Sequence, residues 1–284
     1  MYISTEIHSF RKLGSIEKIL VALKESGFTA YDFSMFEGGL SDEIMLADDY
    51  LDRAKKLRAF ADNLGLPCNQ SHAPFATAKK GNDAYNKAMY PKIVRAIEVS
   101  GILGAKVCVV HPCNDYTAEE NAVLYKSFEE VARKSGVKIG VENMWNWDEK
   151  EDHASKASCS HHDDFKTHME LLPKDVFTAC LDIGHAEMKG LDTTAVQMIE
   201  TLDGYLTAMH LHDNNRWGDN HSIPFAYNID FEPIIQALKK INYQGDITLE
   251  VDGFATNVPK ELIPASMQYM ASVANYFRDR LLEK

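Results

Sequence analysis

Phe177-Thr178-Ala179-Cys180-Leu181-Asp182-Ile183-Gly184-His185 is the stretch whose reading decides the fold. Successive side chains of a strand point to opposite faces. Phe177, Ala179 and Leu181 therefore share an apolar face, while Thr178, Cys180 and Asp182 share the other. The run ends on Asp182 and, three residues later, His185, two side chains that bind metal ions or move protons.

Five other segments end in the same way. They are Gln70-Ser71-His72-Ala73-Pro74, Val109-Val110-His111-Pro112, Gly140-Val141-Glu142-Asn143, Met209-His210-Leu211-His212-Asp213 and Thr248-Leu249-Glu250-Val251-Asp252. Neighbouring segments lie roughly 30 to 40 residues apart, about one strand-plus-helix unit of a (β/α)₈ barrel of ~250 residues. Eight strand-like runs are present: 2–7, 30–35, 66–71, 106–111, 137–143, 177–182, 206–212 and 246–252. Helical patterns alternate with them, such as Ile16-Ile19-Leu20-Leu23, Ile93-Ile97-Ile102 following Pro91, and Phe231-Ile234-Ile235-Leu238 behind an Asp230 cap. A last helix is expected from about Pro259 to Leu282. Strict alternation without a linker predicts an α/β (β/α)₈ TIM barrel, one domain over residues 1–284. No Gly-x-Gly-x-x-Gly or Walker-type loop follows the first strand, which argues against a dinucleotide or nucleotide-triphosphate fold.

The chain has 284 residues, 45% hydrophobic and 25% charged, with a net charge of −12. That acidity argues against general attraction to nucleic acid or an anionic membrane. The start carries no signal-peptide pattern, and no apolar run approaches the ~20 residues of a membrane span. The five cysteines show no Cys-x-x-Cys spacing, and reduced thiols in a cytoplasmic protein are expected. Cys108 and Cys180 read as small core residues.

Parity turns the strand ends into a site. A barrel strand sends one face to the helices and the other inward. With the apolar residues on the helix side, Glu142, Asp182, His210 and Glu250 point into the barrel at the C-terminal mouth. This oxygen-rich set with one imidazole suits one divalent ion (Mn²⁺, Zn²⁺, Co²⁺ or Mg²⁺), and three carboxylate charges together call for a cation. The loop from Met144 to Asp164 adds Trp145 and Trp147, which can stack on the apolar face of a ligand, pack the loop down onto the barrel or form a subunit contact. His161-His162 reads as a solvated helix start, and His8 and His168 receive no role.

The segments around His72, His111, Glu142, Asp182, His185, His210, Asp219-Asn220-His221 and Glu250 resemble, in order and over nearly the whole chain, the xylose-isomerase-like barrel superfamily. That group holds sugar and sugar-phosphate isomerases and epimerases together with zinc-dependent apurinic endonucleases. The ketose 3-epimerase branch implies that Glu142, Asp182, His210 and Glu250 hold one metal, with His185 and Arg216 at positions that hold substrate oxygens. His72 and His111 face either substrate or further metal, and Trp145 of the mouth loop is the remaining substrate-facing candidate. Glu142 and Glu250 would then remove and return a proton through a metal-bound enediolate, giving a metal-dependent isomerase or epimerase of a small sugar or sugar derivative. The endonuclease branch implies up to three zinc ions, with His72, His111, His185, Asp219 and His221 joining the inner four as ligands, and phosphodiester cleavage. Against it stand the acidic charge and a mouth with no dense Arg/Lys loop. A non-catalytic sugar-binding barrel is the third reading, and it would require a damaged ligand ring, of which no member is missing. A small carbohydrate is the expected partner, with no nucleic acid and no membrane, and a homo-oligomer stays open. Many relatives are Gly-rich after the Asp-x-His-x-x-Pro segment, where this chain has Phe225-Ala226-Tyr227-Asn228.

Overall fold

The eight expected runs all become parallel strands of one barrel in the computed structural model, which describes residues 1–283. In chain order the strands are β1 (Ile3–Thr5), β2 (Tyr31–Ser34), β3 (Cys68–His72), β4 (Val107–Val110), β5 (Lys138–Glu142), β6 (Asn146–Asp148), β7 (His153–Ser155), β8 (Phe177–Asp182), β9 (Leu206–His210) and β10 (Ile247–Leu249). A six-stranded sheet runs β2-β3-β4-β5-β8-β9, and β1 pairs with β10. Two single parallel bridges, Glu6 with Asp32 and Leu211 with Leu249, close these two pieces into a barrel.

The core divides as parity requires. Phe33, Val141, Leu181 and Leu249 pack outward against helix residues such as Leu20, Ile93, Ile97 and Phe277. Val107, Val109, Cys180 and Ala208 form a separate small cluster inside the barrel. All five cysteines are buried free thiols. No helix among the described residues is long and apolar enough to cross a membrane.

Three elements differ from the sequence expectation. Helix Asp83–Leu103 runs through Pro91 rather than starting after it, because Asn82 already caps it, accepting from Tyr85 N at 3.1 Å. Residues 260–262 form a 3-10 turn, so the last helix is Ile263–Leu282. Part of the 144–164 loop is the antiparallel hairpin β6–β7, which ties the loop to itself over the mouth. His161 caps helix His162–Glu170, consistent with a helix start, although its ring and that of His162 are half-buried.

Candidate metal and acid–base site at the barrel mouth

Four strands finish on a candidate ligand: β3 on His72, β5 on Glu142, β8 on Asp182 and β9 on His210. His111 and Glu250 come one residue after β4 and β10. Because the strands are parallel, all six side chains emerge at one end of the barrel. A cavity of about 880 Å³ opens there, lined by His72, His111, Glu142, Trp145, His185, Asp219, His221 and Glu250, with Phe36 and Phe75 on one wall.

The buried residues Glu142, Asp182, His210 and Glu250 place one ligand atom each within 4.8 Å of one another. His210 Nδ1 lies 2.8 Å from Glu142 Oε1 and 3.0 Å from Glu250 Oε2, so this one imidazole joins both glutamates. His111 Nε2 is 3.0 Å from Glu142 Oε2 and His72 Nε2 is 3.4 Å away. Neither ring aligns for a hydrogen bond, and Glu142 Oε2 has no such partner among the described residues.

A second group, His185, His212, Asp219 and His221, gathers beside the first. Asp219 Oδ2 lies 3.0 Å from both His185 Nε2 and His221 Nε2, and Trp145 Nε1 donates to it at 3.3 Å. The other nitrogens of these rings are tied to backbone carbonyls. His185 Nδ1 is 2.8 Å from Asn143 O, and His221 Nδ1 is 3.2 Å from Glu250 O. His72 Nδ1 is likewise 2.8 Å from Ala73 O. A carbonyl on Nδ1 fixes that nitrogen as the donor and turns Nε2 into the cavity, the arrangement typical of metal-binding histidines.

The charges of the two groups depend on one another. Burial pushes the Glu142 carboxyl up, but His210 and His111 outweigh it and hold Glu142 well below the usual carboxylate range. Burial opposes protonation of His185, yet Asp182 and Asp219 raise it to about 10. The rings of His210 and His221 are also raised against their burial, His210 by Cys180, Glu250 and Glu142 and His221 by Asp219 and Glu250. Asp219 Oδ1, like Glu142 Oε2, is buried with no hydrogen-bond partner among the described residues. An unpaired buried carboxylate oxygen is costly, and a cation is the group that offsets it. The donor set of three carboxylates and one imidazole fits a divalent ion with positions open to substrate.

Sequence reasoning passed over His212, which is wholly buried. Its Nε2 lies 2.9 and 3.1 Å from the two Asp182 oxygens, and its ring stacks on His221 at 4.1 Å and 10°. The signal was available, since His212 has the same strand parity as His210. Phe75, stacked on His111 at 5.1 Å and 22°, and His8, against Phe36, also reach the cavity. Nothing in their sequence neighbourhood marked them.

Arg216 is the departure. It lies outside the cavity, with Nη2 2.6 Å from Glu187 Oε2 in a separate surface pocket. The cause is local: Asn214 Oδ1 accepts Arg216 N, and Asn215 Oδ1 accepts the amides of Trp217 and Gly218, each at 2.9 Å. These turns carry the arginine away from the mouth. The buried His168 is structural, set between Asn121 and Asp164 O.

A family model described as xylose isomerase-like TIM barrel matches residues 20–273. An uncharacterised protein of Methanocaldococcus jannaschii is 29% identical over 201 residues, 63% of this chain and 62% of that relative, so the match spans less than two thirds of the relative's length. Another, from Sinorhizobium fredii, is 25% identical over 270 residues, covering 83% and 80%. Among solved structures, a D-tagatose 3-epimerase-like protein superposes with TM-score 0.71 at 22% identity, over 97% of this chain and 99% of that one. The IolI protein with a bound zinc atom gives TM-score 0.74 at 13% identity, over 99% and 98%. At such identities the likeness speaks for the fold alone.

Proposed function

Since the chain belongs to the xylose isomerase-like TIM barrel family, we propose that it is a metal-dependent isomerase or epimerase of a small sugar or sugar derivative. The observation that carries this reading is the His210 imidazole shared by Glu142 and Glu250, with one Glu142 oxygen left without a hydrogen bond. The sugar epimerases and the zinc-containing IolI among the structural neighbours support it.

Glu142, Asp182, His210 and Glu250 would hold the ion. A divalent ion there supplies the positive charge that acidifies a C–H beside a carbonyl and carries the negative charge that follows. The chain's own residues do the rest. Glu142 and Glu250 enter from different strands, so one carboxylate can take the substrate proton and the other return one. Return to the opposite face gives epimerisation, and return to the adjacent carbon gives aldose–ketose isomerisation. His185 and His72 present Nε2 to the cavity and can hold substrate oxygens, while Phe75 and Trp145 offer faces to its C–H surface and exclude water.

The test is deuterium incorporation from D₂O into ketoses, together with the metal content of the purified protein. One tightly bound divalent ion per chain is expected, with exchange lowered by about 10²–10⁴-fold in Glu142→Gln and Glu250→Gln. Exchange that persists in both variants would sink the two-carboxylate mechanism. One observation favours a second reading, a zinc phosphodiesterase. The outer group of His185, Asp219 and His221 also leaves a buried carboxylate oxygen free, as a further ion site would. Three zinc ions per chain and cleavage of abasic DNA would replace the isomerase reading with that one.

A further inference from the structure

The mouth continues beyond the ring of ligands. A second cavity, of about 670 Å³, lies between the loops that follow β3 and β4, over helices Asp83–Leu103 and Ala118–Lys126. Ala78 and Lys80 line both cavities, so the two adjoin along that ridge. The ridge is lightly held. Lys80 Nζ reaches Asp115 O at 3.2 Å and Glu120 Oε2 at 2.9 Å, joining one loop to the other. Both side chains of this ion pair are nearly half exposed, at 49% and 43%, a setting where solvent screening leaves such a pair little hold.

The walls of the groove are apolar: Ala78, Tyr90, Tyr116, Val123, Leu124 and Phe128. Tyr90 stacks on Phe128 at 5.1 Å and 22°, and its hydroxyl donates to Ser127 O at 3.0 Å, which pins the ring as a floor. Val123 is 74% exposed and Tyr90 42%, so this apolar surface has no cover of its own. Among its polar side chains, Lys80 is engaged with Glu120 and the Asn86 amide with both backbone groups of Lys79, while the buried, uncharged Thr77 Oγ1 has no hydrogen-bond partner among the described residues. The groove thus offers contact area and aromatic faces but no free charge. Its size falls within the ~300–1,000 Å³ of small-ligand sites, whereas a stable protein partner needs about 800 Å² of surface on each side.

We propose that this groove binds an apolar aryl or alkyl substituent carried by the sugar whose reacting carbons occupy the central cavity. The inference rests on the sugar reading above and narrows its substrate to an amphipathic sugar derivative. Size agrees with it. A six-carbon sugar fills only part of the 880 Å³ central cavity, which lies within the range that holds drug-sized ligands. Room remains for a group leading over the ridge.

Binding needs no reactive carbonyl, so the metal-loaded full chain can be titrated calorimetrically with phenyl and methyl β-glycosides of glucose, galactose and xylose. At least one phenyl glycoside should bind about tenfold or more tightly than its methyl counterpart. Val123→Asp, a change at an exposed position away from the ligand ring, should shrink that gap below about threefold while leaving ketose deuterium exchange and metal content unchanged. Phenyl and methyl glycosides within threefold for all three sugars would overturn the proposal, as would a gap that survives Val123→Asp. A wild-type dimer that Val123→Asp dissociates, seen by analytical ultracentrifugation, would also overturn it by giving the groove to a second copy. The isomerase reading fails separately, if no ketose exchanges deuterium.

Discussion

The two ligand groups at the mouth are built in different ways. Glu142, Asp182 and His210 are the last residues of β5, β8 and β9, and Glu250 follows β10 directly. Their positions are set by the strand ladder, from which they cannot move without breaking it. His185 stands on the short helix Ile183–Ala186 that follows β8, and Asp219 and His221 on the β9–β10 connection; all three rely on hydrogen bonds outside the strand ladder. Asn143 O and Glu250 O orient the two rings, and Asp213 anchors the β9–β10 connection by accepting Tyr227 N at 2.7 Å and Ile229 N at 3.2 Å. The inner group thus reads as the fixed part of the site and the outer group as its adjustable part, where relatives on one barrel can come to differ in chemistry.

The hardest way to break that contrast is to strike the residue between the groups. His212 lies against Asp182 of the inner set and stacks on His221 of the outer. It fits only because residue 184 is glycine: a Cβ there would stand 1.9 Å from His212 Cε1. Gly184→Ala should displace the ring, cost stability toward the upper end of the ~1–3 kcal/mol typical of overpacking, and weaken metal binding about 10–100-fold, as loss of a supporting partner does. Urea unfolding and competition with a chelator measure the two effects. Unchanged metal affinity would show that His212 does not steady Asp182.

That residue also marks how far the sequence could be read. The barrel strands and the inner four were legible because period-two alternation is local and a parallel barrel converts it directly into a direction. His212 obeys the same alternation as His210, yet its role depends on Gly184 leaving room across a strand pair, which no local pattern reports. Asp219 and His221 were reached through family resemblance rather than periodicity, whereas His185 was already marked by its place just past the strand of Asp182. Arg216 was misplaced because the resemblance that set it toward substrate says nothing about the turns that Asn214 and Asn215 impose. The hairpin β6–β7 was missed because each strand has only three residues with one apolar side chain, too short for an alternation to register.

A smaller perturbation should separate the groups rather than damage both. Asp213→Ala removes the acceptor of two backbone N–H groups, at a cost of about 1–3 kcal/mol. The change should free the 214–228 connection, with faster amide exchange at Tyr227 and Ile229, while the inner four keep their metal affinity within about threefold. If the affinity fell with the loop, the inner group would not be fixed by its strands alone.

The least effect is expected at Phe225, which holds φ at +75°, a backbone region that favours glycine. Its ring packs on Phe231, Tyr276 and Phe277 at 5.3, 5.5 and 5.4 Å, yet stays half exposed. Phe225→Gly would relieve about 1–2 kcal/mol of left-handed strain and add about 0.5–1 kcal/mol of chain entropy cost, besides losing part of the aromatic contact. These terms oppose one another, so stability should stay within about 1 kcal/mol of the parent by thermal unfolding, with no change at the inner ligands. A loss well beyond that would mean that the aromatic cluster under the β9–β10 connection holds Asp219 and His221 in place. The outer group would then depend on packing as much as on hydrogen bonds, and the line between fixed and adjustable parts would have to be drawn elsewhere.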